Sequence, residues 1–186
     1  MPAHKDPGAT KSTLWYFGFR IFYAHILCAV AMVILALMAM LLQNVVNYTD
    51  RTMTLIVNVF TFALYAFLVY RDSWSIGLHD FNRVLYDRAV YDRFKPVKAV
   101  LASQSVGVLL AVWVALAPSS PDAETFANYF YANFRFPLEI TSGTTLGRYL
   151  YFTPWIFAGV FAVWGYFNGY KQKRVTDKLV YRAKSK

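Results

Sequence analysis

Four long apolar stretches dominate this chain and limit the folds open to it. We predict that they are membrane-spanning helices over residues 20–43, 53–71, 97–117 and 146–170. Each is long enough to cross a hydrocarbon core of about 30 Å, which a helix does in about 20 residues. Because lipid offers no hydrogen bonds, each stretch must satisfy its backbone internally, as a helix does. The predicted fold class is therefore all-α, with four transmembrane helices.

Composition agrees with a membrane protein. Of the 186 residues, 58% are hydrophobic and only 16% are charged, whereas soluble proteins are about 25% charged. The length allows one domain without a large soluble addition. The net charge is +9, which in a soluble protein would suggest binding to nucleic acid.

The Lys and Arg residues lie almost entirely on one side of the predicted spans. Sixteen of the 19 fall in the N-terminal segment, in the connection between the second and third spans, or near the C-terminus in 171–186. The other three are Arg51, Arg135 and Arg148. Basic residues favour the cytoplasmic side, so we predict that both termini are cytoplasmic. This topology explains the positive net charge, so we predict no binding to nucleic acid. We predict that the basic tail contacts membrane lipid.

The connection between the third and fourth spans has a helical pattern of its own. Ser120, Pro121 and Asp122 are typical of a helix start, with a cap, a proline in the first position and an acid in the first turn. Aromatic residues then recur at helical spacing until Pro137. We predict an amphipathic helix over 121–135, which either lies on the outer membrane surface or caps the bundle.

The most highly charged stretch, residues 78–94, lies between the second and third spans. We predict that it is a cytoplasmic helix carrying Asp80, Arg83, Asp87, Arg88, Asp92 and Arg93. Opposite charges three or four residues apart attract by about 0.2–0.5 kcal/mol per pair, which favours a helix stabilised by ion pairs under the bundle. The alternatives are docking of a protein partner, or a metal site that includes His79. Metal is disfavoured because Arg83 lies between two of the acids.

Small residues recur at every fourth position of the third span, at Ala99, Ser103, Gly107, Ala111 and Ala115. The fourth span adds Gly165 and Gly169. Small residues on one face let helices approach closely, and van der Waals contact drives helix association in lipid. We interpret this face either as packing between the third and fourth spans or as a contact surface for another subunit.

Ionisable residues within a membrane span usually indicate transport or catalysis. The first span contains His25, and Asn58 is the most central polar residue of the second span. His25 is either a hydrogen-bonded packing residue, a proton relay or a haem ligand. A bis-histidine haem site would need a second histidine in the membrane, and His4 and His79 lie outside it. We predict no cofactor, no metal and no catalytic residue.

The pattern W-x-x-G-x-x-D-x-N-x-V-x-Y follows the second span. It is formed by Trp74, Gly77, Asp80, Asn82, Val84 and Tyr86, with Tyr91 and Asp92 after it. This pattern resembles a group of small bacterial membrane proteins of uncharacterised function. The resemblance runs from Trp74 to about Leu110. It implies a four-helix protein of a bacterial membrane and brings no activity with it.

Three functional hypotheses follow from the sequence. The leading one is a non-catalytic accessory or structural subunit of a larger membrane complex, which fits the small size, the small-residue face and the charged stretch. The second is a small transporter or channel that acts as a homo-oligomer. The third is a membrane enzyme or lipid-handling protein that uses His25, or Asp80, Asp87 and Asp92. An enzyme is the less favoured hypothesis.

Overall fold

The computed structural model describes residues 7–43, 50–86, 88–116, 121–134 and 153–172. These residues form helices and contain no strand, which confirms the predicted all-α class. In chain order the helices are α1 (Pro7–Gln43), α2 (Asp50–Leu85), α3 (Lys95–Ser103), α4 (Ser105–Leu116), α5 (Pro121–Phe130), a 3₁₀ turn (Ala132–Phe134) and α6 (Thr153–Tyr170).

Two of these helices are long and apolar enough to cross a membrane, over Leu14–Leu41 in α1 and Leu55–Leu85 in α2. A third crossing results if α3 and α4 are counted as one broken span. Of the predicted fourth span, 146–170, the structure describes α6, and residues 146–152 lie outside the described residues. Two or three candidate crossings are thus present, and the number four stays a prediction.

α1 and α3 run in one direction, and α2 runs in the other. The α1–α2 contacts pair Arg20 with Asp72, His25 with Tyr65, and Met32 with Thr61. The α2–α3 contacts pair Asp80 with Lys95, and Tyr65 with Gln104. Between these helices lies the main hydrophobic core, which includes Phe17, Ile21, Cys28 and Val69.

α2 and α6 run parallel and form the most extensive contact among the described helices. Their ring contacts pair Phe62 with Phe157, Tyr70 with Trp164, and Phe81 with Tyr170. The two backbones approach closely at Gly77, Gly165 and Gly169. A Cβ atom added at Gly165 would lie 2.5 Å from the carbonyl oxygen of Tyr70, so this helix pair requires glycine there.

The charged stretch 78–94 does not form the separate helix that we predicted. α2 continues to Leu85, because Gly77 lets its last turns pack against α6 and no proline interrupts them. The described residues of the linker that follows, 86 and 88–94, are not helical, and Pro96 then lies in the first turn of α3. A proline is tolerated in that position because the missing N–H would have no partner within the helix.

The third predicted span, 97–117, is broken rather than straight. α3 and α4 are separated by Gln104, and their axes differ by 56°. α4 packs mainly against α5 rather than against the bundle. We call α4 and α5 together the arm.

The helix predicted over 121–135 ends earlier, at Phe130, and a 3₁₀ turn follows it. That turn enters the bundle instead of lying on a surface. Tyr131, Ala132 and Phe134 are only 2%, 6% and 3% exposed. The end of this segment is therefore buried among α1, α2 and α4, whereas Phe126 and Tyr129 of α5 stay exposed.

Candidate functional site

Three consecutive polar residues, Ser103, Gln104 and Ser105, form the break between α3 and α4. The Ser103 hydroxyl donates to the carbonyl of Val100 at 2.9 Å. The Ser105 hydroxyl donates to the carbonyl of Ala102 at 3.0 Å. Hydrogen bonds of this kind compete with the helical ladder and bend helices. They also satisfy carbonyl groups for which lipid would offer no donor.

His25, within the candidate span of α1, holds the end of the arm in the bundle. Its side chain is fully buried, and its Nε2 lies 2.9 Å from the carbonyl oxygen of Phe130. Because a carbonyl only accepts hydrogen bonds, Nε2 carries the proton and donates. Phe130 is the last residue of α5, where helix carbonyls lack a partner in their own helix. His25 thus caps a helix that ends inside the protein.

Aromatic rings surround His25. Its ring lies 4.7 Å from that of Phe130 and meets the rings of Tyr65 and Tyr131 edge-on, at 5.7 Å in each case. Nε2 of Gln104 donates to the Tyr65 hydroxyl at 3.4 Å. We call His25, Tyr65, Gln104 and Tyr131 the polar junction. It joins α1 and α2 to the break in the third span and to the end of the arm.

Two atoms of the polar junction have no hydrogen-bond partner among the described residues, Nδ1 of His25 and Oε1 of Gln104. Both are acceptors, because Nε2 holds the proton of the imidazole. Buried polar atoms usually have a partner, and a small donor such as water can supply one. The junction therefore has the chemistry to bind a small hydrogen-bonding ligand.

Asn58 lies on α2, seven positions from Tyr65, and is 5% exposed. Its carbonyl, together with that of Val57, accepts from the Thr61 hydroxyl, at 3.1 and 2.9 Å. In the described part of the chain, no three His, Cys, Asp or Glu side chains are close enough together to hold a metal ion.

A second polar cluster, which we call the inner ion pair, lies where α2, α3 and α6 meet. Oδ2 of Asp80 accepts from Nζ of Lys95 at 2.5 Å and from the hydroxyl of Tyr166 at 2.9 Å. Asp80 and Lys95 are only 7% and 4% exposed. Burying either charge alone would be costly, and the pair is tolerated because it is close and further hydrogen-bonded. Asp80 thereby connects three helices.

Asp92 forms a more exposed ion pair in the linker. Its carboxylate accepts from Nζ of Lys98 at 2.8 Å and from the N–H of Phe94 at 2.9 Å. Partial burial would raise the pKa of Asp92, but hydrogen bonds from Lys98 and Phe94 outweigh it, so the pKa is lowered. Asp92 is therefore charged at neutral pH, and its pairing is lost as the pH falls through this lowered pKa.

The structure separates five of the six charged residues that we predicted on one docking helix. Asp80 points into the bundle, Asp92 pairs with Lys98, and Arg83 is half-buried. Arg88 and Arg93 are exposed, and Arg88 lies over the ring of Tyr86. The sixth, Asp87, is outside the described residues.

The small residues of the third span lie inside the protein. Ala99 and Ser103 face Gly18 of α1, while Gly107 and Ala111 face the end of α5 and Tyr131, which follows it. A Cβ at Gly107 would overlap the Tyr131 hydroxyl. Ala115, further along α4, is half-buried. Gly165 and Gly169 pack against α2, whereas one of our two interpretations placed them against the third span.

Sequence reasoning missed several residues of these two clusters, namely Tyr65, Gln104, Tyr131, Lys95 and Tyr166. One signal for the break was available, because Ser-Gln-Ser within an apolar run is unusual and serines bend helices. No sequence pattern distinguished Tyr65, Tyr131 and Tyr166 from the other tyrosines among the 14 of the chain.

Comparisons with known proteins return no relatives. No profile of a known protein family matches the chain, no curated protein matches it in sequence, and no solved structure matches it in fold.

Proposed function

We propose that the chain is a four-span protein of the bacterial cytoplasmic membrane with both termini in the cytoplasm. The opposed directions of α1 and α3 relative to α2 and α6 fit four successive crossings. Basic residues of the described part collect towards one end of this bundle: Arg20, Arg71, Arg83, Arg88, Arg93, Lys95, Lys98 and Lys171. Such an excess favours the cytoplasmic side.

We further propose that the protein is a non-catalytic subunit of a larger membrane complex. The observation that carries this proposal is the arm, in which α4 turns away from the bundle by 56°. Leu109 and Leu116 of α4 remain 70% and 80% exposed. A helix that is apolar on all sides is stable only within protein or lipid. The small-residue face is already used inside the protein, so the exposed side of the arm becomes the proposed contact surface.

A transmembrane helix of another protein is the partner that suits this surface. Trp113 of α4 stacks on Phe126 of α5, and both remain exposed beside Tyr129. Aromatic residues are enriched at protein interfaces. A straight helix would present an equal apolar surface to lipid and would keep its regular backbone hydrogen bonds, some of which the bent span loses at the break. The bent arm therefore fits a specific contact better than it fits lipid alone.

Photo-crosslinking in native membranes tests this proposal. A photoreactive residue at Leu109 or Leu116 should capture one and the same membrane protein. The matched control is Ile156 of α6, which is 59% exposed and should not capture that protein. Identical patterns at all three positions would mean that the arm has no dedicated partner.

A small transporter or channel is the second candidate, and the polar junction favours it. Broken helices with polar groups at their ends often form solute and ion sites in membranes. The junction offers a break, a buried imidazole and two acceptors without partners among the described residues. If this proposal is right, proteoliposomes that contain the protein should dissipate a proton gradient. His25→Phe should abolish this proton flux. The control His79→Phe, at an exposed position, should preserve it. Flux no greater than that of empty liposomes would reject this candidate.

A further inference from the structure

A narrow cleft opens beside the inner ion pair, between the end of α2, the linker and the start of α3. The charged and aromatic residues that line it are Asp80, Arg83, Tyr91, Asp92, Lys95 and Tyr166. Apolar side chains complete its wall. We call it the inner cleft.

The acids that line the inner cleft are already paired. Asp80 accepts from Lys95 and Tyr166, and Asp92 accepts from Lys98. These contacts neutralise both carboxylates. Acids and bases are nearly equal in number in this stretch of the sequence, but the pairing of both acids leaves the cleft without a free negative charge among the described residues.

Arg83 is the charge of the cleft that remains without an ion pair among the described residues. Its guanidinium can bind a phosphate in a bidentate manner. Lys95, the first residue of α3, also lines the cleft but is paired with Asp80, so Arg83 carries the positive charge that remains. The electrostatics of the cleft thus favour an anion.

The surroundings of the cleft are suited to lipid. Val90 and Phe94 of the linker are 63% and 64% exposed, and Leu85 at the end of α2 is 61% exposed. Apolar side chains next to basic ones are typical of a segment that contacts the membrane interface. A free phosphate ion would make no use of this apolar rim.

We propose that Arg83, at the edge of the inner cleft, binds the phosphate of an anionic phospholipid from the cytoplasmic leaflet. This inference rests on the proposed orientation in the membrane, and it is independent of the proposed partner on the arm. The lipid would link α2 to α3 at the membrane surface, beside the inner ion pair.

Native mass spectrometry of the full chain with added phosphatidylglycerol tests this inference. Arg83→Gln should reduce the retained lipid about ten-fold, the loss expected for a charge-assisted contact. Arg88→Gln is the matched control, because Arg88 is exposed and lies over Tyr86; it should retain lipid like the parent chain. Phosphatidylcholine should be retained less than phosphatidylglycerol by the parent chain.

A second variant approaches the same site through a residue that does not line it. Lys98→Gln leaves Asp92 as an unpaired acid at the cleft and should also reduce retained phosphatidylglycerol. Equal retention by the parent chain, Arg83→Gln and Lys98→Gln would overturn the inference. An equal loss of lipid in Arg88→Gln would mean that the effect depends on net charge and not on Arg83, and this would also overturn the inference. Displacement of the lipid by inorganic phosphate would assign the cleft to the free ion instead.

Discussion

At the scale of single residues, close helix packing depends on positions that tolerate no side chain. Gly77, Gly165 and Gly169 lie where α2 and α6 nearly touch. In α6, however, a Cβ atom added at Gly159 would meet nothing within 4 Å. The same helix thus contains a glycine that packing requires and one that it does not.

We expect Gly169→Ala to lower the free energy of unfolding in detergent by about 1–3 kcal/mol, because the added methyl group overlaps the backbone of Trp74. Gly159→Ala is the matched control and should be neutral, or stabilising by at most about 1 kcal/mol through helix propensity. Denaturant titration monitored by circular dichroism measures both. Equal effects of the two substitutions would show that α2 and α6 are not in close contact.

The inner ion pair gives a second prediction for single residues. Lys95→Met leaves a buried carboxylate without its cation and should destabilise the protein by about 3–5 kcal/mol. Lys98→Met breaks the exposed pair with Asp92 and should cost at most about 1 kcal/mol. The double substitution Lys95→Met with Asp80→Leu should recover much of the loss.

The same denaturant titration measures these effects as a double-mutant cycle. An equally mild effect of Lys95→Met and Lys98→Met would contradict the buried pair.

The small residues of the third and fourth spans were readable from the sequence as a packing surface, because spacing by four places them on one helix face. Their partners were not readable. Spacing defines a face, but the identity of the opposite helix depends on the path of the whole chain. Gly165 and Gly169 therefore face α2, whereas Ala99 and Ser103 face α1.

At the scale of helices, the broken span is the feature that the sequence predicted least well. A window of apolar residues looks the same whether its helix is straight or bent, because hydropathy depends on the side chains and not on the path of the backbone. The bend is decided by local bonds of Ser103 and Ser105, and by the return of the arm to His25. The hydrogen bond between His25 and Phe130 joins residues 105 positions apart, and no local sequence pattern reveals it.

The anchoring role of His25 can be tested through the segment that it holds. In a Cys28→Ser background, Ala132→Cys introduces a thiol at a position that is 6% exposed. Adding His25→Phe removes the donor to Phe130 and should increase the rate of labelling by a membrane-permeant maleimide about ten-fold, as expected for the loss of one buried hydrogen bond. His79→Phe is the control and should leave the rate unchanged. Unchanged labelling in both variants would mean that other contacts hold the arm.

At the scale of the whole molecule, charge and helix direction together define the proposed orientation. The positive-inside pattern could be read from the sequence because it depends only on where Lys and Arg fall between apolar runs. Which of those basic residues become buried could not be read, and Lys95 is the example. It counts as a cytoplasmic charge in the sequence, yet it is enclosed between α2 and α6.

Thiol labelling of intact cells tests the orientation. In the Cys28→Ser background, an impermeant maleimide added from outside should label Thr52→Cys and Asp122→Cys, and should not label Arg93→Cys. All three positions are exposed in the structure, so differences report the side of the membrane. Labelling of Arg93→Cys with protection of the other two would invert the proposed topology.

The central proposal is a subunit role, in which the arm contacts another membrane protein. The most direct measurement is the mass and composition of the particle extracted from native membranes in mild detergent through a C-terminal tag. We predict a particle that contains a second membrane protein in fixed stoichiometry, and that loses it when Leu109 and Leu116 are both changed to Ser. The matched control, Val160→Ser on the exposed side of α6, should keep the partner. A lone chain or a pure homo-oligomer would contradict the claim and favour the transport proposal.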